Sequence, residues 1–297
     1  MRDKVSAWLL KLSCPPPNSL PNYVVDQWKI PNLADHHTLA LHKSSRSPLK
    51  TFADRYYLYE KLGSGKHGQV WLGLVLGCDE QRVAIKILHD YKKRTRSFYS
   101  EVNLYQALWG TNDLKGFAHL QNTLSDKKSG KTGLVLDDVG INLDELFRLY
   151  GKRWCITTVG RLWLMLIDRI EAVHRCGFVL RYIKGANLCM GGEDFGTLFL
   201  VDFAGSKRYL DEFGKHVPCQ NNVRPSGNAA FRSVKSDQGI TPSRRDDLES
   251  AAYAMLAFID SGRLPWSKRT TDLHCKKAVS WEKISRGYAP IHRYLGE

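Results

Sequence analysis

Residues 63–68 read Gly-Ser-Gly-Lys-His-Gly, and residues 83–86 read Val-Ala-Ile-Lys. The first run has the spacing G-x-G-x-x-G, in which the glycines let the backbone turn sharply and approach phosphate oxygens closely. Dinucleotide-binding folds share this spacing, but in those folds the loop opens a helix. Here both flanks, residues 57–59 and 69–73, are rich in aromatic and branched side chains typical of strands. We therefore predict a strand–loop–strand hairpin that covers phosphate groups.

The segments after this hairpin continue a strand-rich region with one helix. Residues 81–88 and 132–138 have strand character, and residues 98–109 carry apolar side chains at helical spacing. Lys86 ends the Val-Ala-Ile-Lys run on the third predicted strand. Glu101 lies on the predicted helix, where it could pair with Lys86 and fix its position.

The chain after Gly140 is mainly helical. Helices are predicted over residues 143–150 and 157–175, short strands over 178–180 and 198–201, and a further helix from Asp247 after a long loop. One face of the second helix is apolar and is formed by Val159, Leu162, Leu166, Ile170 and Val173. The sequence thus predicts an α+β fold, with a small strand-rich lobe followed by a larger helical lobe.

The composition limits the cellular setting and the class of partner. Residues 1–52 contain six prolines and a Ser/Lys/Arg-rich stretch, so we expect a mostly irregular N-terminal extension. No apolar run reaches the length of a membrane span. The seven scattered cysteines contain no Cys-x-x-Cys pair, which favours reduced thiols in the cytoplasm or nucleus over disulfides or zinc. A net charge of +14 favours acidic partners or a solvated basic surface, and a nucleic-acid partner would rest on that charge alone.

Several later segments carry a resemblance to a known family. Residues 243–250 (SRRDDLES) and 262–266 (GRLPW) resemble signature segments of the casein kinase I group of protein kinases, and vaccinia-related kinases share a similar stretch. Residues 134–140 (LVLDDVG) resemble the group's hinge, and residues 227–231 (GNAAF) resemble its Gly-Thr-Ala-Arg-Tyr. The resemblance covers roughly residues 54–297. It implies a bilobal protein kinase fold, with an N-lobe at 53–138 and a C-lobe at 139–297. Because the chain ends about thirty residues after Trp266, whereas the group continues with more helix, a C-terminally truncated large lobe is expected.

The resemblance also implies a set of site residues. ATP and magnesium are the implied cofactors. Lys184 would steady the transferring phosphate, and Asn187 and Asp202 would hold magnesium. The implied ATP-binding residues are Leu62, Gly63, Gly65, Gly68, Val70, Ala84, Lys86, Glu101, Leu136, Asp137 and Val139.

The motifs that carry phosphoryl transfer depart from the family pattern. Residues 180–187 read LRYIKGAN, so Tyr182 stands where the family has its catalytic aspartate, and Ala204 replaces the glycine of Asp-Phe-Gly. A phenol is neutral at pH 7 and is larger than a carboxylate, so it can neither accept the substrate proton as aspartate does nor leave room for the substrate hydroxyl. Ala230 replaces a phosphate-binding arginine of the family, for which Arg232, Lys268 and Lys276 are alternative cations.

Two functions follow from this pattern. The first is a pseudokinase that binds ATP and serves as a regulatory or scaffolding module, docked to an active kinase or to its substrates. The alternative is a slow serine/threonine kinase that transfers the ATP γ-phosphate to proteins with the help of another base.

Overall fold

A six-stranded antiparallel sheet forms the first part of the computed structural model, which describes residues 50–77, 81–88, 96–111, 115–191, 196–264 and 266. The spatial order of the strands is β1-β2-β3-β4-β6-β5. Register shifts between β2 and β3, at Leu58/Glu60 and at Lys61/Gly63, are irregularities of the kind that curl a sheet. The strands are β1 Thr51–Phe52, β2 Tyr56–Gly65, β3 Gly68–Val75, β4 Arg82–Ile87, β5 Leu120–Ser125 and β6 Thr132–Asp137.

The two faces of this sheet have different partners. On one face, Phe52 packs with Val83, Ile85 and Val135. Thr51 and Phe52, which the sequence placed in the N-terminal extension, therefore belong to the sheet as β1. Residues 1–49 of that extension lie outside the described residues.

On the other face of the sheet lies helix α1, Arg96–Trp109, with Phe98 against Leu134. Alternation along the strands places Lys86 on this second face with Leu134 and Leu136.

The second part of the chain is built around two long helices. They are α3, Ile156–Arg175, and α5, Arg244–Ile259, while α2, Leu143–Leu149, and α4, Val234–Asp237, are short. The apolar stripe predicted on α3 is buried, since each of its five residues is at most 2% exposed. Helix α5 begins three residues earlier than the expected Asp247, because Ser243 and Asp246 form a capping box at its start.

Two small antiparallel sheets connect the helices. The three-stranded sheet has the order β10-β9-β7 and the two-stranded sheet pairs β11 with β8. The strands are β7 Ile141–Asn142, β8 Phe178–Val179, β9 Leu188–Gly191, β10 Thr197–Leu200 and β11 Lys207–Arg208. Apolar residues of α1, α2, α3 and α5 share one hydrophobic cluster, so α1 is packed against the helical part as well as against the large sheet.

The architecture confirms the predicted α+β class: of the residues described, the strand-rich part holds one helix and the second part is dominated by helices. Within the described portion of the chain, none of the helices combines the length and the apolar character that a membrane crossing requires.

Candidate functional site

Lys86, Glu101 and Asp202 form a buried ion cluster where the large sheet meets the helical part. The Lys86 Nζ atom donates to Glu101 Oε1 at 2.8 Å, to Glu101 Oε2 at 2.7 Å and to Asp202 Oδ1 at 2.5 Å. Lys86 and Glu101 are 5% and 0% exposed, whereas the Asp202 side chain remains 34% exposed. The lysine thus joins β4, α1 and the segment after β10 through one ammonium group.

Phe203 keeps the parts of this cluster together. Its ring is 1% exposed and lies 4.7 Å from the ring of Tyr105 on α1, measured between centroids. Its backbone N–H also donates to the Glu101 carboxylate. Asp202 itself has φ 64°, a left-handed conformation that is uncommon outside glycine. Phe203 is thus packed under α1, while the carboxylate of the adjacent Asp202 lies against Lys86.

The three charges shift one another's ionisation. Burial opposes the charged form of Asp202, but the adjacent Lys86 ammonium outweighs burial and lowers the pKa of this carboxyl below its ordinary value. Burial likewise disfavours the Lys86 ammonium, yet the carboxylates of Glu101 and Asp202 together raise the pKa of this amine. Both groups are therefore charged at neutral pH.

The glycine run forms the tip of the β2–β3 hairpin, where Gly65 pairs with Gly68. A Cβ atom at Gly63 or Gly65 would meet no atom within 4 Å, so these two positions border open space. Gly68 differs, because its φ is +150° and a Cβ there would lie 2.3 Å from the Ile87 carbonyl oxygen. Two glycines thus leave room for a ligand, and the third allows β3 to pack closely on β4.

The remaining predicted ATP-binding residues lie on the neighbouring strands and the segment after β6. Ala84 pairs with Leu136 across β4 and β6, and both contact the main core, as does Val139. Leu62 is exposed and Val70 is half-buried on the hairpin. The Asp137 carboxylate accepts hydrogen bonds from the His119 backbone N–H and from Gln121 Nε2 on β5, so its side chain is engaged on that side.

Tyr182 faces the glycine hairpin from the opposite wall. Its ring is half-buried and stands edge-on to the His67 ring at the hairpin tip, with 6.2 Å between centroids and 84° between planes. A Cβ at Gly205 would lie 2.1 Å from the Tyr182 ring, so the ring rests on a residue that must lack a side chain. The glycine after Ala204 therefore accommodates Tyr182, and its φ is not in the left-handed region that would require glycine.

His67 contributes an unpaired polar atom to this contact. Among the described residues, its buried Nε2 has no hydrogen-bond partner. Burial lowers the pKa of this imidazole, and the nearby Asp202 carboxylate opposes the shift only in part. A neutral imidazole therefore lies between the hairpin and the Tyr182 ring.

The segment that carries Tyr182 is anchored by Asp247. This carboxylate is 1% exposed and accepts hydrogen bonds from the backbone N–H groups of Leu180, at 2.7 Å, and Arg181, at 2.8 Å. Its Oδ2 atom also lies 2.9 Å from His174 Nε2. Arg181 has φ 68°, and its Nε donates to the Gly205 carbonyl at 2.6 Å. Helix α5 thus holds the strained turn before Tyr182 in place.

Asn187 and Asp202 lie at the same end of the β9–β10 hairpin, because the Val201 N–H donates to the Asn187 carbonyl. The Asn187 amide nitrogen donates to the Tyr182 carbonyl at 2.9 Å, which directs the amide oxygen away from that bond. One carboxylate and one amide oxygen suit magnesium, which takes oxygen ligands and keeps several waters. In the described ranges, no group of three or more His, Cys, Asp or Glu side chains forms a metal site.

Lys184, just before Gly185–Asn187, is half-buried and lies close enough to Asp202 to favour its charged form.

The alternative anion site predicted around Arg232 is not supported where it can be assessed. Arg232 Nε forms an ion pair with Asp237, whose side chain is 4% exposed, so its charge is already balanced. The Ala230 carbonyl accepts a hydrogen bond from the buried Trp266 indole at 2.8 Å. Lys268 and Lys276 lie outside the described residues.

Sequence reasoning did not identify two contributors to the site, Asp247 and His67, and it did not predict that Gly205 packs against Tyr182. Asp247 lies in the quoted SRRDDLES segment, but its role requires the long-range contact with residues 180–181. His67 lies inside the glycine run, and an aromatic side chain at the predicted hairpin tip was the only sequence feature that could have pointed to its contact with Tyr182. No protein-family model matches the chain.

Proposed function

We propose that this chain is a protein kinase-like pseudokinase of the casein kinase I type, which binds Mg-ATP and acts as a regulatory or scaffolding module. The observation that carries the proposal is the position of Lys86, within hydrogen-bond distance of both Glu101 and Asp202. In the kinase pattern the same lysine pairs with the helix glutamate and with the phosphates, and the aspartate holds magnesium.

Nucleotide binding is supported by charge and by space. Lys86 is charged, and Gly63 and Gly65 of the hairpin border open space where phosphates could approach the backbone. Asp202 retains an exposed carboxylate edge, and with Asn187 it would hold magnesium between the phosphates and the hairpin end. The metal would neutralise phosphate charge, and Lys184 would add a second cation on that side.

Loss of phosphoryl transfer is supported by what occupies the base position. A phenol lies where a carboxylate would orient the substrate hydroxyl, and it is packed between Gly205 and His67. Positioned acid–base groups contribute about 10²- to 10⁴-fold to rate, so a site without one would transfer phosphate very slowly. The ring also fills space that the substrate hydroxyl needs.

The test is a paired measurement of ATP binding and casein phosphorylation on wild type, Tyr182→Asp and Lys86→Ala. We expect Mg-ATP to raise the Tm of wild type and of Tyr182→Asp but not that of Lys86→Ala. Casein phosphorylation should be absent in wild type and gained in Tyr182→Asp.

Two results would contradict the proposal, each in a different part. An unchanged wild-type Tm with Mg-ATP would remove the nucleotide-binding part. Robust wild-type phosphorylation that disappears in Lys86→Ala would establish instead the slow serine/threonine kinase, with another group serving as base.

A further inference from the structure

A concave surface lies between α3 and α5, next to the residues that anchor the Tyr182 segment. We call it the α3–α5 groove. It has a volume of about 350 Å³, at the lower end of the range of ligand pockets. Helix α3 contributes residues at helical spacing, α5 contributes Arg244 and Leu248, which are one turn apart, and Tyr209 lies at one end. The lining residues are Ile167, Ile170, Glu171, His174, Arg175, Tyr209, Arg244 and Leu248.

The floor of the groove is apolar and reaches solvent. Ile170 is 1% exposed, whereas Leu248 on the opposite wall is 42% exposed. Single exposed leucines are common on protein surfaces, but this one borders a concavity floored by isoleucines. An apolar side chain that entered the groove would therefore cover the exposed part of Leu248.

The rim of the groove carries positive charge. Arg244 stacks over the Tyr209 ring, with its guanidinium carbon 5.0 Å from the ring centroid. Among the residues that the structure describes, no carboxylate lies within ion-pair distance of Arg244. Arg175 is paired with Glu171 at 2.6 Å and is 72% exposed. As far as the described residues show, the rim therefore has one cation without a carboxylate partner, stacked over an aromatic ring, on a chain whose net charge is +14.

The groove also touches the residues that hold the Tyr182 segment. The Tyr209 hydroxyl donates to the His174 carbonyl at 2.9 Å, and His174 Nε2 lies 2.9 Å from the Asp247 carboxylate. Asp247 in turn binds the backbone of residues 180 and 181. An occupant of the groove would thus contact His174 and Tyr209, which connect to the Asp247 anchor of the Tyr182 segment.

We propose that the α3–α5 groove docks a short acidic segment of a partner protein, which inserts one large apolar side chain between Ile170 and Leu248 and places a carboxylate on Arg244. An apolar floor beside an unbalanced guanidinium matches such a segment in both properties. A basic segment would be repelled by the same rim. This docking requires no nucleotide, so it stands or falls separately from the function proposed above.

The experiment uses the full chain and a random peptide library displayed on phage. Enriched peptides are synthesised with a fluorescent label, and their binding is measured by anisotropy on wild type, Leu248→Glu and Arg244→Glu. Leu164→Glu and Arg153→Glu are matched controls, because both side chains are exposed outside the groove. Thermal unfolding of each variant checks its fold, and Arg244→Glu tests the groove even where Leu248→Glu fails to fold.

We expect the enriched peptides to combine Asp or Glu with a large apolar residue. Each groove substitution should weaken their binding by about tenfold or more, and the controls by less than about twofold. The proposal is overturned by a lack of enrichment, by peptides without acidic residues, or by equal losses in the controls. A wild-type dimer in sedimentation that Leu248→Glu dissociates would also overturn it, because the occupant would then be a second copy of this chain.

Discussion

The sheet side of the candidate site and its helical side differ in how complete their chemistry is. On the sheet side, Lys86, Glu101 and Asp202 form a closed cluster of opposite charges, and two glycines of the hairpin border open space. On the helical side, the Tyr182 segment is held as firmly, by Asp247 and by packing on Gly205, yet it presents a phenol. Firm positioning and reactive chemistry are therefore separate properties of a site. For the phosphate binding proposed above, the sheet side has both, while the helical side has only the positioning.

The largest effect is expected from breaking the sheet side at Lys86. Lys86→Met would leave Glu101 fully buried without its cation, and removal of one partner of a buried ion pair destabilises a protein by about 3–5 kcal/mol. Urea unfolding should show this loss, and the Mg-ATP thermal shift should disappear. The double variant Lys86→Met/Glu101→Gln should recover part of the stability but none of the shift. Equal stability of the single and double variants would mean that the uncompensated Glu101 carboxylate is not what destabilises Lys86→Met.

The next largest effect is expected from a substitution at Asp247, which anchors the Tyr182 segment on the helical side. Asp247→Asn replaces a buried carboxylate that accepts three hydrogen bonds with an amide that has one acceptor oxygen. We expect unfolding to become easier by about 2–3 kcal/mol. Asp168→Asn is the control, since its side chain is 69% exposed, and should stay within about 0.5 kcal/mol of wild type. Similar losses in both variants would argue against a special role for the anchor.

A pair of glycine variants separates fold from ligand binding on the sheet side. Gly68→Ala should destabilise the chain by about 2 kcal/mol, because its φ is +150° and its Cβ would overlap the Ile87 carbonyl. Gly63→Ala should leave the unfolding midpoint in urea nearly unchanged and reduce the Mg-ATP thermal shift, because its Cβ would enter open space. The opposite pattern would show that Gly63 is the structural glycine.

The sequence predicted the parts of this comparison that depend on local pattern. The hairpin and the α3 stripe follow from local spacing, and the pairing of Lys86 with Glu101 follows from the resemblance of the glycine run, the lysine and the helix to the kinase pattern. The sequence did not predict strands β5 and β9, because their short segments lack a distinct alternating pattern. Strand β9 matters for the site, because its pairing with β10 brings Asn187 near Asp202. The contact of Tyr182 with Gly205 and His67, and the anchor at Asp247, join residues far apart in sequence. Such contacts depend on tertiary packing, which no local pattern encodes.

The smallest effect concerns His67, where the two walls meet. Burial lowers the pKa of this imidazole, so between that pKa and the ordinary value near 6.5 the unfolded chain binds more protons than the folded one. The free energy of unfolding should therefore rise with pH across this window, and should fall as the pH decreases toward the folded-state pKa. His67→Phe keeps a ring against Tyr182 but cannot titrate. Urea unfolding from pH 5 to 7 should show a shallower pH dependence in His67→Phe than in wild type, and identical slopes would show that the imidazole is not held neutral between the walls.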